Sequence, residues 1–375
     1  MPFFSILDSH IHLWPSTAIT STDHGWMTDP SHLLVKRHGI SDYQAVAASS
    51  PAGSALTGFI YVETDRYLPS KTPDIRPIAG EEEVKKKLRE WAKAPLQELE
   101  FLRRIVEESP LEGDGFDKGE GERMKGAVVW APFNSSTPAF KTYLKIAEEV
   151  AGPRLWEKIV GFRYLLQGKA EGEVKSLVSS ADWVENIIHL GKGRGGRGWA
   201  FDVGVDIHRD GTDPLDAVGE MILNVREKEA QIGSGAQPVR FVLNHLCKHA
   251  LTTDSPTQPT QAWLNAVSKL GQDPDIFMKL SGALNEFEKG TPSSTAEIVK
   301  SLNPLTSRVL DAFGDRVMFG SDWPVCNVGG SAGEKSNWGL WVESVESLLE
   351  EAHVTEEKRG QIWWKAASKA YNVQL

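Results

Sequence analysis

Eight short apolar or β-branched runs recur along this 375-residue chain, separated by intervals too long for hairpins. They are "FSILDSHIH" (4–12), "LTGFIYVET" (56–64), "MKGAVVWAPF" (124–133), "IVGFRYLL" (159–166), "GWAFDVGVDI" (198–207), "VRFVLNH" (239–245), "IFMKLSG" (276–282) and "RVMFGSD" (316–322). Amphipathic stretches such as "EEEVKKKLREWAKAPLQELEFLRRIVEE" (81–108) and "PLDAVGEMILNVREKEA" (214–230) lie between them. Near-continuous hydrophobic strands alternating with helices demand a parallel sheet covered on both faces. Eight such units favour α/β architecture of the closed (β/α)8, TIM-type, kind over an open doubly wound sheet. The length would also accommodate two average domains. No internal segment has the composition of a linker, so residues 1–375 read as one barrel. The segments 109–126 and 291–298 read as exposed loops. Residues 13–55 are long for one connection and rich in Pro, Ser, Asp and His, which predicts an elaborated first loop folded over the barrel mouth.

A barrel of this kind keeps its active site at the carboxyl ends of its strands. Those ends carry His10 and His12, Glu63, Arg163, Asp206 with His208, His245 with Lys248, Ser281 with Asn285, and Asp322. In "LDSHIHLWPS" (7–16), His10 and His12 stand two residues apart on a strand and therefore share one face. Paired imidazoles in a core need a reason, and a divalent metal such as zinc is the commonest one. A solvent-facing pair at a strand end is the alternative. Asp322 in "GSDWP" has the chemistry of a helix-capping or turn aspartate. Closing the barrel would bring it beside the first strand, and with the His-x-His pair there it reads as part of a site.

Composition narrows the function further. A formal charge of −10 disfavours nucleic acid as the partner. No run of about 18 apolar residues is present, so no membrane span is expected. The opening "MPFFSILDSH" lacks the features of a secretory signal, and two cysteines, Cys247 and Cys326, suit a reducing, cytoplasmic setting. Thirteen tryptophans suit sugar-like ring ligands as well as core packing. "GKGRGGRGW" (191–199) precedes a strand and lacks a Gly-Lys-Ser/Thr ending, so it reads as a basic connection and not as a phosphate loop.

Taken in order, "DSHIHLWP", "FVLNHLCK", "MKLSG" and "VMFGSDWP" resemble the amidohydrolase superfamily. They are most similar to its amidohydrolase-2 branch of sugar-lactone and dicarboxylate-lactone hydrolases. The tail "IWWKAASKAYNV" (362–373) is similar to that branch's closing helix, while "GFIYVETDRY" and "GFRYLLQG" most resemble the fungal L-rhamnono-lactonases. The resemblance implies a distorted barrel in which His10, His12 and Asp322 surround the reacting water. It implies Glu63 as a further metal ligand, and His245 as a ligand or a carbonyl-polarising group. Members with two metals bridge them by a carboxylated lysine on strand four, where this chain has Arg163. One divalent metal, zinc or manganese, or none, is therefore implied. The implied reaction is hydrolysis of an aldono-lactone, such as L-rhamnono-lactone, in carbohydrate metabolism. Asp322 would be the general base, His245 and Lys248 would face the oxyanion, and Arg163, Lys248, Asn285, Trp14 and Trp323 would surround a small sugar lactone. The alternatives are a metal-dependent decarboxylase with His208 as a ligand, another amide or ester hydrolase, and a non-catalytic barrel.

Overall fold

The computed structural model describes residues 5–75, 80–233, 237–253 and 255–374. Eight strands form one parallel sheet in sequence order: β1 (Ile6–Ile11), β2 (Leu56–Val62), β3 (Met124–Trp130), β4 (Ile159–Arg163), β5 (Ala200–Val203), β6 (Phe241–Leu243), β7 (Ile276–Leu280) and β8 (Val317–Phe319). Each lies within one of the eight predicted runs. The expected (β/α)8 barrel is therefore the fold, and the open-sheet alternative falls away. The ring closes just beyond β8, where the His12 N–H donates to the Trp323 carbonyl at 2.8 Å and the Asp322 N–H to the His10 carbonyl at 2.8 Å. The two ends of the chain's strand order thus meet where the predicted site residues stand.

The barrel interior is built in layers. Leu7, Val128, Val160, Val242, Phe277 and Met318 fill its lower part, from six different strands. The helix Ala366–Tyr371 plugs the amino-terminal end, and Ala366, Ala367 and Ala370 let its backbone pack closely against this cluster. Arg240 and Arg194 anchor that helix by donating to the Ala370 and Tyr371 carbonyls. Above the apolar layer lies a buried ion pair, Lys279 Nζ to Asp202 Oδ2 at 2.6 Å, with the Tyr371 hydroxyl also donating to Asp202. An isolated charge could not be buried there, whereas a paired and hydrogen-bonded one can.

One irregularity decides where the histidines point. In β1, Asp8 pairs with Phe59 but Ile11 pairs with Tyr61, so three steps on β1 match two on β2. This bulge shifts the side-chain alternation. Leu7 faces the interior below it and His10 and His12 face the interior above it, while Ile6 and Ile11 pack outward against the helical shell.

The long first loop covers the mouth, as expected. Trp14 and His38 hold its two ends together through paired backbone hydrogen bonds of 3.0 Å each way. His24 Nε2 meets Thr64 Oγ1 at 2.8 Å, and Trp26 donates to the Thr64 carbonyl, so the loop is tied to the end of β2. Among the described residues no helix is long and apolar enough to cross a membrane.

Candidate active site

At the carboxyl mouth, side chains from three separate segments converge. The Asp322 Oδ1 atom lies 3.6 Å from His10 Nε2, 3.4 Å from His12 Nε2 and 3.8 Å from His245 Nε2. All four residues are nearly or wholly buried. Asp322 is no helix cap, because the following short helix, Cys326–Gly329, begins from Val325. Its carboxylate instead faces the imidazoles.

Each ring has a partner on its far side. His12 Nδ1 lies 2.8 Å from the Val62 carbonyl, which can only accept, so His12 carries its proton on Nδ1 and turns a lone pair on Nε2 toward the site. His245 Nδ1 meets Ser281 Oγ at 2.8 Å. His10 Nδ1 is 3.0 Å from Lys279 Nζ. An ammonium there donates to Nδ1, which leaves the His10 proton on Nε2, 3.1 Å from the His12 lone pair. Lys279, His10, His12 and Val62 thereby form one continuous hydrogen-bonded chain.

His245 is aimed by unusual backbone. Residues 245–248 all have positive φ, at 55°, 52°, 60° and 52°, although none is glycine. A left-handed residue costs roughly 1–2 kcal/mol, and such strain concentrates at functional positions. The turn is held by Lys248 N–H to the His245 carbonyl at 2.7 Å, by the Trp263 indole on the Leu246 carbonyl, and by His208 N–H on the Lys248 carbonyl. Gly282 makes room for the ring. Its φ is +63°, and a Cβ there would sit 2.4 Å from His245 Nδ1.

Burial and charge set the protonation states. Burial pushes the His245 imidazole down to about 3, and burial together with the Lys279 ammonium holds His10 well below its ordinary value. Burial alone would raise the Asp322 carboxyl, but His245, His12 and Lys248 outweigh it and keep it below the usual carboxylate range. At neutral pH the cluster holds an ionised Asp322 carboxylate beside the neutral imidazoles of His10 and His245.

His10, His245 and Asp322 each present a donor atom within 4.8 Å of the other two, and His12 Nε2 lies 3.1 Å from His10 Nε2 and 3.4 Å from Asp322 Oδ1. Imidazole nitrogens with one carboxylate oxygen are the donors that zinc and its neighbours take. The residues therefore fit a single divalent cation, on the condition that the proton on His10 Nε2 leaves when the ion arrives. No second cluster of metal-binding geometry occurs among the described residues.

A cavity of about 270 Å³ opens above the cluster. His12, Trp14, Arg163, His245, Lys248 and Asp322, all expected at the site, line it. The structure does not bring three others there. Glu63, expected as a metal ligand, has its carboxylate engaged by the Arg163 guanidinium and by the Asp65 N–H. Asn285, expected to bind substrate, spends its amide on the Val325 carbonyl and the Gly329 N–H. Trp323, also expected to bind substrate, is buried behind the site against His38 and Tyr43. His208, weighed as a ligand for decarboxylation, is hydrogen-bonded through Nδ1 to Glu286 at 2.9 Å. Asp206 binds Arg209.

Sequence reasoning passed over Asn244, Asp202, Lys279 and Trp26. A lysine in the otherwise apolar "IFMKLSG" was the available signal for Lys279, and adjacency to His245 was the signal for Asn244. Nothing in the local sequence marks Trp26, which reaches the cavity only because of the path of the first loop.

The strand-one histidines and the strand-eight aspartate thus meet at the mouth of a parallel eight-stranded barrel, and the chain is similar to amidohydrolases, as the ordered motifs implied. Residues 236–373 match the family model described as amidohydrolase. Over its whole length the chain is 24% identical to the L-rhamnono-gamma-lactonase of Scheffersomyces stipitis, covering 100% of both. It is 27% identical to the L-fucono-1,5-lactonase of Burkholderia multivorans, over 60% of this chain and 67% of that one. Among solved structures, an amidohydrolase from Burkholderia multivorans with bound HEPES superposes with a TM-score of 0.64 at 22% identity, covering 98% of this chain and 99% of that one. A structure of an amidohydrolase from the same organism with bound zinc gives 0.62 at 20% identity, with the same coverage.

Proposed function

We propose that this chain hydrolyses a sugar-acid lactone, an aldono-lactone of the L-rhamnono kind, to the open acid. The observation that carries the reading is the Asp322 carboxylate set among the imidazoles of His10, His12 and His245 at the floor of a cavity that also presents Arg163 and Lys248. The lactonase names of the two relatives above support the substrate class.

Asp322 takes a proton from a water held in the cluster, and the resulting hydroxide attacks the lactone carbonyl. The oxyanion that forms needs positive charge or fixed donors already in place, which His245 and the Lys248 ammonium supply. As the ring C–O bond breaks, the protonated Asp322 returns its proton to the departing ring oxygen. Arg163 is held rigid by Glu63, whose side chain and backbone carbonyl both accept from it, and so offers a preorganised donor edge to substrate hydroxyls. Trp26, exposed at the rim and backed by the buried Trp14, supplies apolar surface for a sugar face. A single divalent cation, zinc or manganese, held by His10, His12, His245 and Asp322, would polarise the carbonyl and acidify the water when bound. We place the reaction in carbohydrate metabolism in the cytoplasm.

The test is proton release from a panel of aldono-lactones, including L-rhamnono- and L-fucono-lactones, before and after chelation. Ring opening lost on chelation and restored by zinc or manganese supports the metal-assisted form. Ring opening indifferent to chelation retains the hydrolase and leaves carbonyl polarisation to His245 and Lys248. No release from any lactone by metal-replete protein overturns the reading.

A further inference from the structure

The one asparagine among the described residues whose two side-chain amide atoms are both buried without a protein partner is Asn244. It is 1% exposed and lines the cavity beside His245, Asp322 and Arg163. Its backbone is fully engaged. The N–H donates to the Val203 carbonyl at 3.0 Å, and the carbonyl accepts from the Cys247 N–H at 2.9 Å. What remains is the carboxamide, held where β6 ends and the left-handed turn begins. Asn186, an equally buried asparagine remote from the cavity, donates instead to the Phe133 and Ser135 carbonyls.

Buried polar groups are almost always paired, and exceptions cluster where a ligand supplies the missing partner. A carboxamide presents one donor and one acceptor side by side. The group that answers both at once is an acceptor next to a donor on adjacent carbons. A lactone with a hydroxyl on the carbon beside its carbonyl has that edge, with the carbonyl oxygen at C1 and the O–H at C2.

We propose that Asn244 reads the 2-hydroxy-lactone edge of the substrate, with Nδ2 donating to the C1 oxygen and Oδ1 accepting from the C2 hydroxyl. The inference rests on the lactonase reading and narrows it to 2-hydroxy lactones. Asn244 then touches the reacting carbonyl, and its N–H donation strengthens as negative charge develops on that oxygen. A site built to hydrogen-bond a substrate hydroxyl discriminates strongly against the analogue that lacks it, because the protein group is then left unpaired.

The experiment compares kcat/KM for an aldono-lactone and its 2-deoxy counterpart in the wild-type enzyme, in Asn244→Leu and in Asn244→Asp. The wild type should favour the 2-hydroxy substrate by at least about tenfold. In Asn244→Leu the ratio should collapse toward one. Asn244→Asp keeps the acceptor and loses the donor, so it should lower kcat on both lactones while retaining preference for the hydroxyl. It serves as the measurement if the leucine variant does not fold. Equal efficiency on the two lactones in the wild type, or a preference that survives Asn244→Leu, overturns the assignment and leaves the lactonase standing. Failure of the wild type to open either lactone overturns both.

Discussion

Asp322 is surrounded by imidazole nitrogens at 3.4–3.8 Å and is the one carboxylate of that cluster. Asp322→Asn keeps the shape and removes the base, so kcat should fall by about 10²- to 10⁴-fold in the proton-release assay, with the unfolding midpoint little changed. Retained turnover would remove Asp322 from the mechanism. Gly282 makes a different claim on the same site. Gly282→Ala puts a methyl group 2.4 Å from His245 Nδ1 at a φ of +63°, which the wild-type backbone cannot accommodate unmoved. Stability should drop by roughly 1–3 kcal/mol, and activity should fall with it as the His245 ring is displaced. Thermal melts together with turnover check this, and a variant equal to wild type in both would show that the ring is free to shift.

Among the elements, β5 and β7 are joined inside the barrel by Asp202 and Lys279, both fully buried. Lys279→Met strands the Asp202 carboxylate with only the Tyr371 hydroxyl, and a broken buried pair costs about 3–5 kcal/mol. The double change Lys279→Met with Asp202→Leu should recover much of that loss, since apolar replacements of a buried ion pair are often neutral. Denaturant midpoints of the single and double variants decide it; a single variant as stable as wild type would mean the pair is dispensable. The helix Ala366–Tyr371 depends on small side chains where it plugs the barrel. Ala370→Leu should therefore cost about 1–3 kcal/mol by overpacking, read in the same assay. The strands themselves were legible because each is a compact apolar run. The bulge in β1 and the left-handed turn after β6 were not, because both answer to contacts with distant chain segments and not to local composition.

Across the whole molecule, six of the ten histidines are buried, and burial holds four of them, His10, His24, His38 and His245, far below the ordinary imidazole range. Burial, aided by Arg66, pushes His24 down to about 2, and burial aided by Lys36 pushes His38 down to about 3. His245 and His10 are lowered likewise at the site. These groups take up protons near pH 6.5 once the chain unfolds but not while it is folded. The unfolded state therefore binds more protons below that pH, and stability falls as pH is lowered. Well below pH 6.5 each such histidine costs about 1.4 kcal/mol per pH unit, and between pH 6.5 and 5.5, where the unfolded rings are still titrating, His24 and His38 together remove roughly 2 kcal/mol. The melting temperature should be flat above pH 7 and fall steadily below 6.5. A flat profile down to pH 5 would mean that these rings become protonated in the folded protein.

Local pattern alone determined the eight parallel strands, the barrel, and the histidines and aspartate of its mouth, because hydrophobic periodicity and residue chemistry act over a few positions. His245, Arg163 and Lys248 were legible for the same reason, as polar residues at the ends of apolar strands. Only the tertiary structure decided which polar groups share a point in space. Glu63 and Asn285 were plausible by position, yet each is taken up by a neighbour that the ring or a loop brings to it: Arg163 in one case, Val325 and Gly329 in the other. Asn244 drew no notice in the sequence, and its side-chain amide is left unpaired by the fold. Closure of a ring more than 300 residues around depends on register and long-range contact, and no short stretch of sequence encodes either.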